Sequence, residues 1–130
     1  MDTKDWNVLL VDDEVEFITT LAERLELRGI MARVTHDGQA ALKAVAENEP
    51  HVMVLDMMMP GMKGLDVLQR VREEHPAVQV ILLTGQGKTR DGIEGMRFGA
   101  FAYLTKPLDL EDLMQTMNEA VHAGQGTPRV

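Results

Sequence analysis

Asp12, Asp13 and Glu14 stand directly after the apolar run Val8-Leu9-Leu10-Val11, and Asp56 directly after Val52-Met53-Val54-Leu55. Thr84 closes a third apolar stretch that begins at Val78, and Lys106-Pro107 follow the short stretch Ala102 to Leu104. Acids, a hydroxyl and an amine therefore recur where apolar runs end. Crowded carboxylates raise one another's pKa unless a cation joins them. Asp12, Asp13 and Asp56 offer oxygen ligands only, and a small set of that kind favours Mg²⁺, which keeps several waters, over Ca²⁺. With Lys106 added, three carboxylates, one Mg²⁺ and one ammonium balance. A carboxylate can accept a phosphoryl group covalently, and such transfer asks mainly for positioning and charge neutralisation. Asp56 as an acyl phosphate would leave the site at roughly one net negative charge, which Mg²⁺ and Lys106 can hold. The Thr84 hydroxyl can donate to a phosphoryl oxygen. Wet loops put polar residues after any strand, so each of these alone says little; the four together, in this order, are specific.

These residues meet only if the runs are parallel strands ending at one edge. Val8–Val11 is continuously apolar, as expected of a strand covered on both faces. Phe17, Ile18, Leu21, Ala22 and Leu25 then recur at helical spacing, and Gly29 marks a C-terminal stop. Ile30 to Val34 fits a second strand. Asp37 can cap a helix through Ala41, Leu42 and Val45 that Pro50 ends. Val52–Leu55 is the third strand, and Leu65, Leu68 and Val71 mark a third helix. Val78–Leu83 is the fourth strand, residues 89–99 a fourth helix, and Ala102–Leu104 a short fifth strand. Asp109, with Asp112 three residues on, opens a last helix whose apolar face is Leu110, Leu113, Met114, Met117 and Val121. Five β-then-α units make an α/β domain with a parallel sheet between two helix layers. In such sheets ligands sit at the C-terminal strand ends near the switch in strand order.

Composition narrows the function classes. The 130 residues fit one domain, and 45% apolar with 26% charged residues is ordinary for a globular chain. With no cysteine there is no disulfide, thiolate metal site or cysteine nucleophile. A formal charge of −8 repels phosphate backbones and argues against direct nucleic-acid binding by this segment. The first residues do not read as a signal peptide, and no apolar run approaches the roughly 20 residues of a membrane span. The expected location is the cytoplasm. We read residues 1–121 as the domain and 122–130, rich in Gly with Pro128, as a C-terminal tail or linker.

The segments VLLVDDE (8–14), VLDMMMPGMKG (54–64), VILLTG (80–85) and GAFAYLTKP (99–107) resemble the signature regions of response-regulator receiver domains, a likeness that covers residues 7–121. The resemblance implies a flavodoxin-like, doubly wound (βα)5 fold with strand order 2-1-3-4-5. It implies Asp56 as phosphoacceptor, with Mg²⁺ bound by Asp13 directly, Asp12 largely through water, Asp56 and the backbone carbonyl of Met58. Lys106 and Thr84 would contact the phosphoryl group, Thr84 and Tyr103 would form a switch pair, and the bond between Lys106 and Pro107 would be cis. Met58, Gly85 and Gln86 stand where receivers vary and would tune the phosphoryl lifetime. The implied partners are a sensor histidine kinase as phosphodonor and an output domain or protein, with the chain a monomer or a phosphorylation-dependent dimer. The run Leu104-Thr105-Lys106-Pro107-Leu108 is similar to receivers attached to transcription activators.

Competing signals are weaker. Gly87-Lys88-Thr89 mimics the end of a P-loop, but the required glycine five residues earlier is Leu82, inside a strand. An aspartyl-phosphate hydrolase wants a second acid two residues after the nucleophile, where Met58 stands. A flavodoxin-like cofactor binder needs a phosphate cradle after the first strand, and Asp12-Asp13-Glu14 would repel it. A phosphate-independent interaction module would lack key residues, and none is lacking. His36, His51, His75 and His122 read as solvated loop residues, and Met57-Met58-Met59 as space-filling beneath a loop. The acids and bases Glu23, Arg24, Glu26 and Arg28 read as a solvated helix face. Gly92, Gly95 and Gly99 weaken the fourth helix; they mean either loose packing at the surface or a segment kept marginal so that an event at Thr84 can shift it.

Overall fold

The structure, a computed structural model, describes residues 2–124. A 3₁₀ turn at Thr3–Asp5 precedes β1 (Val8–Val11), α1 (Val15–Leu27), β2 (Ala32–Thr35), α2 (Gly38–Glu47), β3 (Val52–Asp56), α3 (Gly64–Glu74), β4 (Gln79–Thr84), α4 (Thr89–Arg97), β5 (Ala102–Thr105) and α5 (Leu110–Gly124). The five strands are parallel in the order β2-β1-β3-β4-β5, the flavodoxin-like arrangement expected.

The continuous apolar strands are explained by their two covered faces. Alternate residues point to opposite sides of a sheet. Val8, Leu10, Val52, Val54, Ile81 and Leu83 face one layer with Ile18, Leu25, Leu113, Met117 and Val121 of α1 and α5. Leu9, Val11, Met53, Leu55, Val80 and Leu82 face the other with Ala41, Val45, Val67, Leu68 and Val71 of α2 and α3. Every residue of β1 and β3 is buried, so neither strand can carry a polar residue until it ends. The chain reverses direction across the sheet between β1 and β3, which places their carboxyl ends side by side at the switch point.

Local signals set the element ends. The Asp37 side chain accepts a 2.8 Å bond from the Ala40 N–H and starts α2, and Asp109 accepts one of 3.1 Å from the Asp112 N–H and starts α5. Gly29 closes α1 in the left-handed region at φ 83°, with Gly29 N–H bonding Glu26 O and Ile30 N–H bonding Leu25 O. That closure commits Ile30 to the turn, so β2 starts at Ala32 rather than at Ile30. Likewise α4 ends at Arg97, because Gly99 (φ 100°) and Ala100 donate back to Met96 and Gly95. Strand β4 runs one residue further than expected, to include Thr84. Helix α5 continues to Gly124, so His122 to Gly124 are helical, and 125–130 lie outside the described residues.

Two other readings need correction. Gly92 and Gly95 are buried, and a Cβ at either would overlap a neighbour: the Tyr103 ring at Gly92, the Leu82 side chain at Gly95. These glycines answer to close packing, not to a loosely packed helix. The histidines are also not simply solvated. His51 Nδ1 accepts from the Asn7 N–H at 2.9 Å, and His75 Nδ1 lies 2.8 Å from Glu49 Oε2. His36 Nδ1 lies 3.1 Å from the Asp12 carbonyl oxygen.

Candidate functional site

At the switch point, Asp12 and Asp56 leave their strands into a shared pocket and are almost wholly buried. Ligand oxygens of Asp12, Asp13 and Asp56 all lie within 4.8 Å of one another. The pocket is held by backbone bonds. Asp12 N–H donates to Thr35 O, Met57 N–H to Leu83 O, and Lys106 N–H to Thr84 O at 2.8 Å, so β5 is tied to β4 beside the acids. Gly64 permits the loop after β3 to fold back, since a Cβ there would meet Asp56 O at 2.6 Å and Met57 Cα at 2.7 Å. The Lys106–Pro107 bond is cis.

Lys106 crosses the pocket. Its ammonium donates to Asp12 Oδ2 at 2.9 Å and to Glu14 Oε1 at 2.6 Å, and stands 3.9 Å from Asp56 Oδ1. It also lies 4.5 Å from the centre of the Phe17 ring, a favourable place for a cation. Asp56 Oδ1 accepts from the Met58 N–H at 3.2 Å, and Asp12 Oδ1 accepts from the Glu14 N–H at 2.9 Å.

Burial first, then the charge of Asp12, pushes the Asp56 carboxyl up from 3.8 to about 7, against the pull of the Met58 N–H and Lys106. Burial alone would lower the Lys106 ammonium. Its bonds to Glu14 and Asp12 and the charge of Asp56 outweigh that and hold it above its ordinary 10.5. One ammonium therefore does not satisfy the acids, and a hard divalent cation suits the oxygen set they present.

Thr84 is fully buried at the end of β4, and its Oγ1 has no hydrogen-bond partner among the described residues. Tyr103, half-buried on β5, pairs in register with Leu82, two residues before Thr84. Met57 and Met59 are buried beneath the loop as expected of space-fillers, but Met58 is 59% exposed at the pocket mouth. Gln86 is exposed and Gly85 half-buried on the loop after β4.

The pocket thus gathers Asp12, Asp13, Asp56 and Lys106, with Thr84 ending the neighbouring strand. From sequence Glu14 had no role beyond the acidic run, and Phe17 only a place in the helix, yet both hold Lys106. Their signal is faint: an acid and a ring one and four residues after Asp13, meaningful only once Lys106 is known to arrive there.

Comparison with known proteins agrees with this geometry. Residues 8–118 match the family model of the response regulator receiver domain. The transcriptional regulatory protein YkoG of Bacillus subtilis, described as uncharacterized, is 36% identical over 88% of this chain and 50% of its own length. The probable transcriptional regulatory protein TcrX of Mycobacterium tuberculosis is 37% identical over 87% of this chain and 48% of its own. The chain spans about half the length of these relatives. The solved structure of a response regulator receiver domain protein from Clostridium thermocellum superposes with a TM-score of 0.87 at 31% identity, covering 92% of this chain and 97% of that one. The receiver domain of the Francisella response regulator 1452 gives 0.85 at 31% identity, covering 92% and 98%. No described helix is long and apolar enough to cross a membrane. With the match extending from the first strand into the last helix, the chain belongs to the response-regulator receiver domains of two-component signalling.

Proposed function

We propose that this domain is a phosphoacceptor switch in which Asp56 takes a phosphoryl group from the phosphohistidine of a partner sensor histidine kinase. A carboxylate oxygen of Asp56 forms the new O–P bond as the N–P bond of the donor breaks and its imidazole leaves. Asp12, Asp13, Asp56 and the Met58 carbonyl would hold Mg²⁺, which when bound supplies positive charge to the transferring phosphoryl oxygens. The Met58 N–H orients the Asp56 carboxylate. Lys106 exchanges its present acids for a phosphoryl oxygen, and Thr84, with its hydroxyl unpartnered, donates to another. Tyr103 follows Thr84, and the face of α4, β5 and α5 changes. A partner that prefers the new face draws the population over, within the limit of its differential affinity.

The observation that carries this reading is the gathering of three acids, two of them buried, around one ammonium at the switch point, with Asp56 forced up to about 7. Met58 and Gln86, both exposed on the loops that follow Asp56 and Thr84, would set how readily water reaches the phosphoryl group and hence its lifetime. Output would pass to a partner protein or a further domain, transcriptional in keeping with the relatives' names. The setting would be cytoplasmic, with the chain a monomer or a phosphorylation-dependent dimer. Acetyl phosphate with Mg²⁺ should add the mass of one phosphoryl group to the intact protein. Omitting Mg²⁺ or substituting Asp56→Asn should prevent it. An adduct that survives either change overturns the proposal.

A further inference from the structure

Two glycines one turn apart on α4 receive the side chains of register partners on adjacent strands. Leu82 of β4, fully buried, fills the place of a Cβ at Gly95, and the ring of Tyr103 on β5 fills the place of one at Gly92. Positions three apart share a helix face, so α4 rests on the sheet at both points. They differ in burial: Leu82 is fully enclosed in the sheet, whereas Tyr103 is only half-buried.

We propose that Gly92 is a positioning residue for Tyr103: its bare backbone seats the ring on α4, so ring and helix shift together about the contact at Gly95. The role in signalling rests on the phosphoacceptor reading above; the seat itself does not. Any side chain at 92 would occupy the ring's place and separate the ring's movement from the helix's.

The chain has a single tyrosine, so one set of ring resonances in Tyr-labelled protein reports Tyr103 without ambiguity. In Gly92→Ala those resonances should be displaced before any activation. Their further change on adding beryllium fluoride and Mg²⁺, a phosphoryl mimic, should fall roughly twofold or more, as expected when coupling between two parts is lost. Uptake of phosphoryl mass from acetyl phosphate should match the parent protein. Resting resonances and a response equal to the parent's, or lost phosphoryl uptake, would overturn the proposal.

A melting comparison tests the seat without phosphoryl chemistry. Gly92→Ala should lower Tm in the parent but raise it in a Tyr103→Ala background, where the ring is gone and Ala is the better helix former. A fall of equal size in both backgrounds would show that the ring does not occupy the seat. If the parent takes up no phosphoryl group, the phosphoacceptor reading fails while the sign of these Tm changes still decides the seat.

Discussion

Asp56→Asn should make the metal-free protein more stable, by an amount that depends on pH. Folding carries this carboxyl from its ordinary 3.8 to about 7 through burial and the neighbouring charge of Asp12. At 1.36 kcal/mol per pH unit, keeping it ionised at pH 8 costs the folded state roughly 4 kcal/mol relative to the unfolded chain. Between about pH 4 and 7 the folded protein holds this proton while the unfolded chain has released it, so this group makes stability fall as pH rises through that window and leaves it flat above. Asparagine removes the charge at nearly constant volume. That cost is already net of the attraction of Lys106 and the bond from the Met58 N–H, which both favour the ionised form, so the variant should gain about 4 kcal/mol at pH 8. For a domain of this size that raises Tm by roughly 15 °C. Paired urea and thermal melts in chelator, followed by fluorescence of the buried single tryptophan Trp6, would measure it. The difference between variant and parent should be less than half as large at pH 5 as at pH 8, and narrowed by millimolar Mg²⁺, which stabilises the parent by mass action. Equal melts at pH 8, or a gap that ignores pH, would refute the electrostatic account of the pocket.

Lys106→Ala should destabilise the metal-free protein by about 1–3 kcal/mol at pH 8, since it leaves buried carboxylates without their ammonium. It should still permit some phosphorylation while uncoupling it from the change in the α4–β5–α5 face; partner binding that responds to phosphorylation as in the parent would count against the mechanism. Thr84→Val replaces a buried, unpartnered hydroxyl with a group of similar shape and should stabilise by about 1 kcal/mol in denaturant melts. The same variant should lose the activated state, so a full response to beryllium fluoride would speak against the role of Thr84. Leu82→Ala should cost about 2–5 kcal/mol, because the residue is fully buried in the middle of the sheet and faces Gly95 of α4. A loss below about 1 kcal/mol would mean that the α4 contact at Gly95 is not packed as described.

The fold was legible because its signals are local and repeated. Val8–Val11 and Val52–Leu55 are apolar on both faces, which only a covered strand requires, and Asp37, Gly29 and Asp109 mark helix ends by their own backbone and side-chain chemistry. The gathering of Asp12, Asp13, Asp56 and Lys106 could be anticipated because parallel strands deliver their following residues to one edge. What sequence could not provide was which side chain answers which across the chain. Glu14 meets Lys106 from 92 positions away, and Tyr103 meets Gly92 only because β5 lies beneath α4. Both partners were visible as residue types, but the contact exists only after the sheet has set its register. The boundary errors at β2 and α4 share a cause. Ile30 is β-compatible by composition, yet its N–H is needed to close α1, and a backbone bond overrides a side-chain preference.

Acyl phosphates are reduced by borohydride, which would convert a phosphorylated aspartate to homoserine and mark it for peptide sequencing by mass. After treatment with acetyl phosphate and Mg²⁺, the label should appear at Asp56 and be absent without the metal. Homoserine at Asp12 or Asp13, or phosphoryl uptake with Asp56 left unlabelled, would contradict the assignment of this pocket as a phosphoacceptor site.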